Sequence, residues 1–326
     1  MTLADLRKTP FPWMGGKADA APAVWDALGD CDHYVEPFAG SLAVLMRRPH
    51  PCNRPYYSET VNDADGLLCN AWRAIAADPD AVAEAASWPV CEADMHARHL
   101  ALLRWREERQ LEHLMADPAF HDARMAGWWL WGQCCWIGSG WCSGEGPWVV
   151  GADGRIEKRK GSRGVSRKRP HISNNGQGVS RPQLHEPGVG DEPEYHPMTM
   201  PELRRWLRFL SARLRHVRIL NGDWSRAMTD GAMQNLSVRQ GGVCGVFLDP
   251  PYGDDVRQAG LYTVDDGALA SKVRAWCEEN GSNPRYRIVL AGFDTEHASL
   301  VGLGWREVEW FRAGHLKGGY GNQSEE

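Results

Sequence analysis

No stretch of this 326-residue chain approaches the roughly 20 consecutive apolar residues that cross a bilayer. Its N-terminus also lacks the basic, apolar, small-residue order of a secretory leader. Both absences lead to the expectation of a cytosolic protein without a membrane partner. Paired CxxC and regular His spacing are missing too. The cysteines (Cys31, Cys52, Cys69, Cys91, Cys134, Cys135, Cys142, Cys244 and Cys277) are odd in number and irregularly spaced. That pattern fits free thiols in a reducing compartment better than a disulfide framework. Cys134, Cys135 and Cys142 form the single cluster, and without ligand spacing they read as buried thiols, so no metal site is expected. The chain has neither GxGxxG nor GxxxxGK[ST], which weakens a dinucleotide or nucleoside triphosphate reading. It carries no excess of positive charge: a net charge of −5 excludes a uniformly basic coat for nucleic acid. There is no internal repeat.

With 43% hydrophobic and 24% charged residues the chain has ample material for a core, and its length suits two domains or one large one. A turn-rich opening, Pro10 to Lys17, precedes a helix expected near residues 19–28. Tyr34 and Val35 form a strand that runs into the small-residue loop EPFAGS (36–41), followed by a helix from Leu42 to Arg48. A further strand is expected to end near Glu59, and Val61-Asn62-Asp63 then leads into a helix carrying Leu67, Leu68, Ala71, Trp72 and Ile75. Asp78-Pro79 breaks that helix. Regular patterning returns with the helix Pro201–Leu214 and the strand Val217–Leu220. It continues with a helix to about Met233, the strand Val246–Leu248, a helix Ala268–Glu279 and the strand Arg287–Gly292. A last strand is expected over Trp305–Phe311.

The region between these blocks differs in character. An arginine-rich amphipathic helix is expected over 95–115, then a tryptophan-dense segment (Trp128, Trp129, Trp131, Trp136, Trp141) whose spacing buries most of the indoles. Residues 143–200 are rich in Gly, Pro, Arg and Ser and form a long functional or disordered loop. Within it lie Arg155, Lys158, Arg159, Lys160, Arg163, Arg167, Lys168 and Arg169, opposed by Glu157 alone. A solvated loop is the plain reading of such a run; phosphate contact, each neutralised phosphate steepening the salt dependence by about 0.9, is the functional one. The resulting organisation is one Rossmann-like α/β domain with helices on both faces, residues 1–75 and 205–326, interrupted by a mainly helical insert, 76–204.

Four loops follow four strands: EPFAGS, the Asp63 turn, NGDW at 221–224 and DPPY at 249–252. In open α/β sheets ligands bind beyond the carboxyl ends of the strands, so all four can line one cleft. In DPPY the two prolines supply no N–H. The Asp249 carboxylate and the Pro250 carbonyl can then accept both hydrogens of an exocyclic amine while the Tyr252 ring stacks on its base. A carboxylate after the second strand suits ribose hydroxyls, and an Asp beside an aromatic after the third suits an adenine amine and face. The cleft thus reads as one for a nucleoside without a phosphate.

Those motifs, in that order, resemble the Dam-like DNA adenine methyltransferases of the alpha group of amino-methyltransferases. FPWMGGK matches the N-terminal cofactor motif, VEPFAGS motif I, NDADGLLCN the acidic second motif, and DPPY follows the insert. The string from Asp249 to Leu261-Tyr262, then Asn283-Pro284-Arg285 into RIVLAGF, is similar to phage-encoded members. The resemblance implies S-adenosylmethionine as cofactor and double-stranded DNA as partner, with a homodimer on DNA and a cognate nuclease left open. It implies that Trp13, Gly15, Gly16 and Lys17 close over the methionine carboxylate, and that Glu36, Pro37, Phe38, Ala39 and Gly40 shape the methionine and ribose site. It further implies that Asp63, with Glu59 the alternative, holds the ribose, that Asp223 and Trp224 receive the cofactor adenine, and that Asp249, Pro250, Pro251 and Tyr252 handle the target base. No GATC target is inherited with it. Two rival readings remain: a non-catalytic DNA-binding decoy on the same fold, and methylation of an amine in cytosine, RNA or a protein glutamine.

Overall fold

The computed structural model describes residues 9–11, 13, 16–49, 57–108, 110–117, 119–135, 141–142, 148–150, 156–158, 200–251, 268–292 and 296–310. Its first helix, α1 (Ala21–Leu28), takes a proline in its first turn, where a missing N–H costs nothing. Then follow β1 (His33–Glu36), the short α2 (Ala43–Met46), β2 (Ser58–Asp63) and α3 (Gly66–Ala77). Asp65 caps α3 by accepting the Leu67 N–H at 2.9 Å. Asp78 ends α3 and caps α4 (Pro79–Ala86), which Pro79 opens, so the anticipated break is a sharp joint between two helices.

Next come α5 (Glu92–Glu107), α6 (Gln110–Ala116) and α7 (Ala123–Cys135), followed by β3 (Trp148–Val150) and β4 (Ile156–Lys158), an antiparallel pair. Helix α8 (Met200–Leu214) returns the chain to β5 (Val217–Asn221); a 3-10 turn (Trp224–Met228), α9 (Asp230–Met233) and α10 (Leu236–Arg239) precede β6 (Cys244–Leu248). Helix α11 (Leu269–Asn280), β7 (Tyr286–Leu290) and a 3-10 turn (Ala298–Leu303) complete the described elements.

The main sheet has five parallel strands in the order β5-β2-β1-β6-β7. Each strand alternates between two cores, as a sheet covered on both faces requires. Tyr34, Val61 and Phe247 face a cluster shared with α1, α3 and α8, while Val35, Val246 and Leu248 face one shared with α10 and α11. β1 and β6 are buried along their whole length. The chain runs outward from β1 to β2 and β5, then restarts on the other side with β6 and β7, so the direction of winding reverses between β1 and β6.

Three expectations are corrected. β2 does not end near Glu59 but runs to Asp63, because Asn62 and Asp63 stay paired with Leu220 and Asn221 of β5. The single helix expected over 95–115 is two, α5 and α6. No strand forms over 305–310, whose apolar residues do not alternate. Of the tryptophans, Trp129 and Trp131 are buried, Trp128 and Trp141 pack on the core's margin, and Trp136 lies outside the described residues. Met125, Trp129 and Leu130 of α7 and Val82 and Ala83 of α4 belong to the same core as α3. The described part of the insert is thereby welded to the sheet's own helices.

Candidate active site

The reversal point places the loops after β1 and β6 side by side at the carboxyl edge of the sheet, where side-chain and backbone groups are not consumed by strand pairing. A small cleft opens there. Trp13, Gly16, Lys17, Glu36, Phe38, Ala39, Gly40 and Asp249 all line it, bringing together residues from the opening loop, the first strand loop and DPPY. Gly40 has φ +46°, and a Cβ there would meet the Trp13 indole nitrogen at 2.5 Å, so this turn requires glycine. Gly16 donates its N–H to the Trp13 carbonyl at 3.0 Å, closing the opening loop against the cleft.

One carboxylate meets one ammonium in the cleft, with a second carboxyl among the lining residues. Lys17 is 5% exposed, and its Nζ lies 2.7 Å from Oδ1 of Asp249, which is 17% exposed. The Trp310 ring lies 5.8 Å from the same nitrogen. Burial raises the pKa of Asp249 above the usual carboxylate range, and the Lys17 charge and hydrogen bond pull it back. Glu36 is buried beneath them and accepts a hydrogen bond from the Tyr34 hydroxyl at 3.0 Å. Burial pushes its carboxyl up to about 8, the negative charge of Asp249 adds to that, and the Tyr34 and Leu45 donors offset part of it. Tyr34 and Glu36 reach each other because residues two apart in a strand share a face.

The second strand contributes a carboxylate already engaged. Asp63 accepts the Gly40 N–H and the Asp65 N–H, each at 2.9 Å. Burial raises it to about 6 against the pull of those backbone donors. Glu59, the alternative for the same task, points elsewhere: it is fully buried near the opposite, amino end of β2, held by Arg213, Arg48 and Tyr57. That geometry removes it from the site. Beyond Asp63, Asp223 caps the 3-10 turn by accepting from Ser225 and is exposed. Trp224 stacks on Phe38 at 6.0 Å between centroids and 22° between planes, linking the loops after β1 and β5.

Pro37 lies in the first loop, where its carbonyl accepts from Asn62, and Pro250 is buried and Pro251 half-buried at the end of β6. Gly15, Tyr252, Arg155, Arg159, Lys160, Arg163, Arg167, Lys168 and Arg169 lie outside the described residues, and Lys158 ends β4. Sequence reasoning missed Tyr34, although strand periodicity placed it on Glu36's face, and Asn62, which read as a turn residue. Among the described residues no group of His, Cys, Asp and Glu is arranged to hold a metal, and no helix is long and apolar enough to cross a membrane. Cys135 and Cys142 are buried and Cys134 half-buried, and burial raises all three thiols.

The cleft thus combines an ion pair, Lys17 with Asp249, beside a carboxyl that burial holds protonated near neutral pH, and room for close backbone approach around Gly40. No curated protein matches the chain. Residues 13–94, which carry the opening loop, EPFAGS and the Asp63 turn, match the family model of the D12 class N6 adenine-specific DNA methyltransferases. The match, on a parallel sheet flanked by helices, makes this part of the chain similar to adenine-specific DNA methyltransferases.

Proposed function

We propose that the protein transfers a methyl group from S-adenosylmethionine to the 6-amino group of an adenine flipped out of double-stranded DNA. The observation that carries this reading is Asp249, set at the end of β6 beside Glu36 and paired with Lys17. The residues present fit the cofactor. A sulfonium and an ammonium suit a cleft walled by two carboxylates, Gly16 and Gly40 admit a ligand close to the backbone, and Asp63 stands one strand away for ribose hydroxyls. Glu36, Phe38 and Gly40 would hold the methionine end, with Asp63, Asp223 and Trp224 toward the nucleoside. When bound, S-adenosylmethionine supplies a methyl carbon made electrophilic by its positive sulfur.

The remaining work belongs to the chain. Adenine's amino lone pair is delocalised into its ring, so the site must draw that nitrogen toward tetrahedral geometry. Asp249 and the Pro250 carbonyl accept one amine hydrogen each, which localises the lone pair and stabilises the positive charge that develops on nitrogen. Lys17 on Oδ1 keeps the buried carboxylate ionised and leaves Oδ2 to face the base. Extrusion of the adenine costs a few kcal/mol; stacking on Tyr252, worth roughly 1–3 kcal/mol per base, offsets much of it. Residues 76–204 act as the target-recognition part, with the basic residues between Arg155 and Arg169 on phosphates.

Incubation of the protein and DNA with cofactor labelled in its methyl group tests this directly. Label should enter N6 of adenine, and Asp249→Ala should lower the rate by about 10³-fold or more while DNA binding persists. Transfer near the wild-type rate in that variant, or label in cytosine, RNA or protein instead, would reject the reading. A protein that binds DNA and transfers nothing would be the decoy.

A further inference from the structure

Asn62 ties together three of the loops that end at the cleft. It is 1% exposed near the end of β2. Its Nδ2 donates to the Pro37 carbonyl and to the Gly222 carbonyl, both at 3.0 Å, while its own backbone carbonyl accepts the Ala39 N–H at 2.9 Å. Rotated by half a turn, the amide would set its oxygen against two carbonyls, so the surroundings themselves fix which end is nitrogen. Oδ1 is left buried without a hydrogen-bond partner among the described residues. A buried, unsatisfied oxygen is unfavourable, and its retention points to a task for the amide as a whole.

The neighbours show what that task is. The Asp63 carbonyl accepts the Gly222 N–H at 3.0 Å and Asn221 Nδ2 at 2.9 Å, and Gly222 has φ +131°. The loop after β5 is therefore fastened to the end of β2 from both sides, and Asn62 passes the same constraint to the loop after β1. Phe38 and Trp224, which stack, sit on the two loops so joined.

We propose that Asn62 is a positioning residue that fixes the spacing between the β1 and β5 loops and so sets the shape of the cofactor half of the cleft. The locking stands on the hydrogen bonds alone; its effect on affinity rests on the cofactor reading above. Asn62→Ala is the first test, with Asn62→Asp beside it in case the alanine variant fails to fold. Amide exchange should quicken at residues 37–41 and 221–224 and stay unchanged in β6 and β7. KM for S-adenosylmethionine should rise about tenfold for the two lost hydrogen bonds, with kcat and KM for DNA within about threefold of wild type. In Asn62→Asp the defect should lessen as pH falls, because a protonated carboxyl regains one donor.

Unchanged exchange in both loops would overturn the proposal, as would equal losses in kcat and both KM values that follow the folded fraction. Faster loop exchange in a protein whose wild type binds no S-adenosylmethionine would uphold the lock and reject the cofactor reading.

Discussion

The two ends of the sheet treat buried carboxylates in opposite ways. Near the amino end Glu59, wholly buried, is bracketed by Arg213 and Arg48 and by the Tyr57 hydroxyl, and the Arg48 guanidinium also lies 4.3 Å from the Tyr57 ring centroid and 5.0 Å from that of Trp25. At the carboxyl end Lys17 pairs with Asp249, while Glu36, bonded to the Tyr34 hydroxyl, is held protonated near neutral pH by burial. Two cations face one anion at the first end; at the second one cation faces one anion, beside a carboxyl that burial keeps protonated near neutral pH. A fully compensated charge inside a protein serves its architecture, whereas a carboxyl held neutral by burial alone is poised to ionise when a cation arrives.

Removing one charge from each end breaks the comparison most sharply. Glu59→Leu leaves two arginines facing no anion and should destabilise the protein by about 3–5 kcal/mol in chemical denaturation. Turnover per folded molecule should stay within about threefold of wild type; loss of turnover without loss of stability would contradict the division of labour. Lys17→Met should do the reverse. Asp249 can take up a proton, so stability changes little, but kcat near neutral pH should fall by about 10- to 100-fold. Because the missing cation lets burial raise Asp249 further, and the proposed mechanism needs its ionised form, the acidic limb of the pH–rate profile should move to higher pH. Lys17→Arg should restore part of it, and a limb that stays in place would remove Lys17 from this role.

The effect read most directly from pH concerns Glu36. Its folded-state pKa of about 8 exceeds its ordinary 4.5, so between those values the folded protein holds a proton that the unfolded chain has released. Stability should accordingly fall as pH rises from about 4.5 through 8 and level off above. Asp63, raised to about 6 from 3.8, adds a smaller total decline over its own lower window. Glu36→Gln should remove the upper part of the slope in thermal melts taken across that range. A slope that survives the substitution would assign it to another group.

Much of this frame was legible beforehand, for identifiable reasons. Tyr34 and Val35 announce a strand because an aromatic and a β-branched residue stand together, and the small residues after Glu36 mark its exit. The Asp63 turn looked like the end of β2 because Asn and Asp favour turns; pairing with β5 overrides that preference, and only the fold supplies β5. The joint between α5 and α6 carries no proline or glycine to betray it. Lys17 was legible as a cation of the cleft but not as the partner of Asp249, since the two meet only where distant segments converge. Asn62 was invisible for the same reason: its hydrogen bonds go to carbonyls, which every residue has.

The junction of insert and sheet carries an evolutionary consequence. α3 leads into the insert and α8 leads out, and the two helices lie against each other, with the Ser211 hydroxyl donating to the Ala76 carbonyl at 2.8 Å. Arg208 adds a two-pronged clasp to Asp80 on α4. Departure and return at adjacent points make the intervening chain a cassette, but one with a fixed hilt, since α4 and α7 are built into the common core. On the proposed division, in which residues 76–204 read the target, exchange of residues 136–199 between relatives should alter which sequence is marked and leave the hilt as it was.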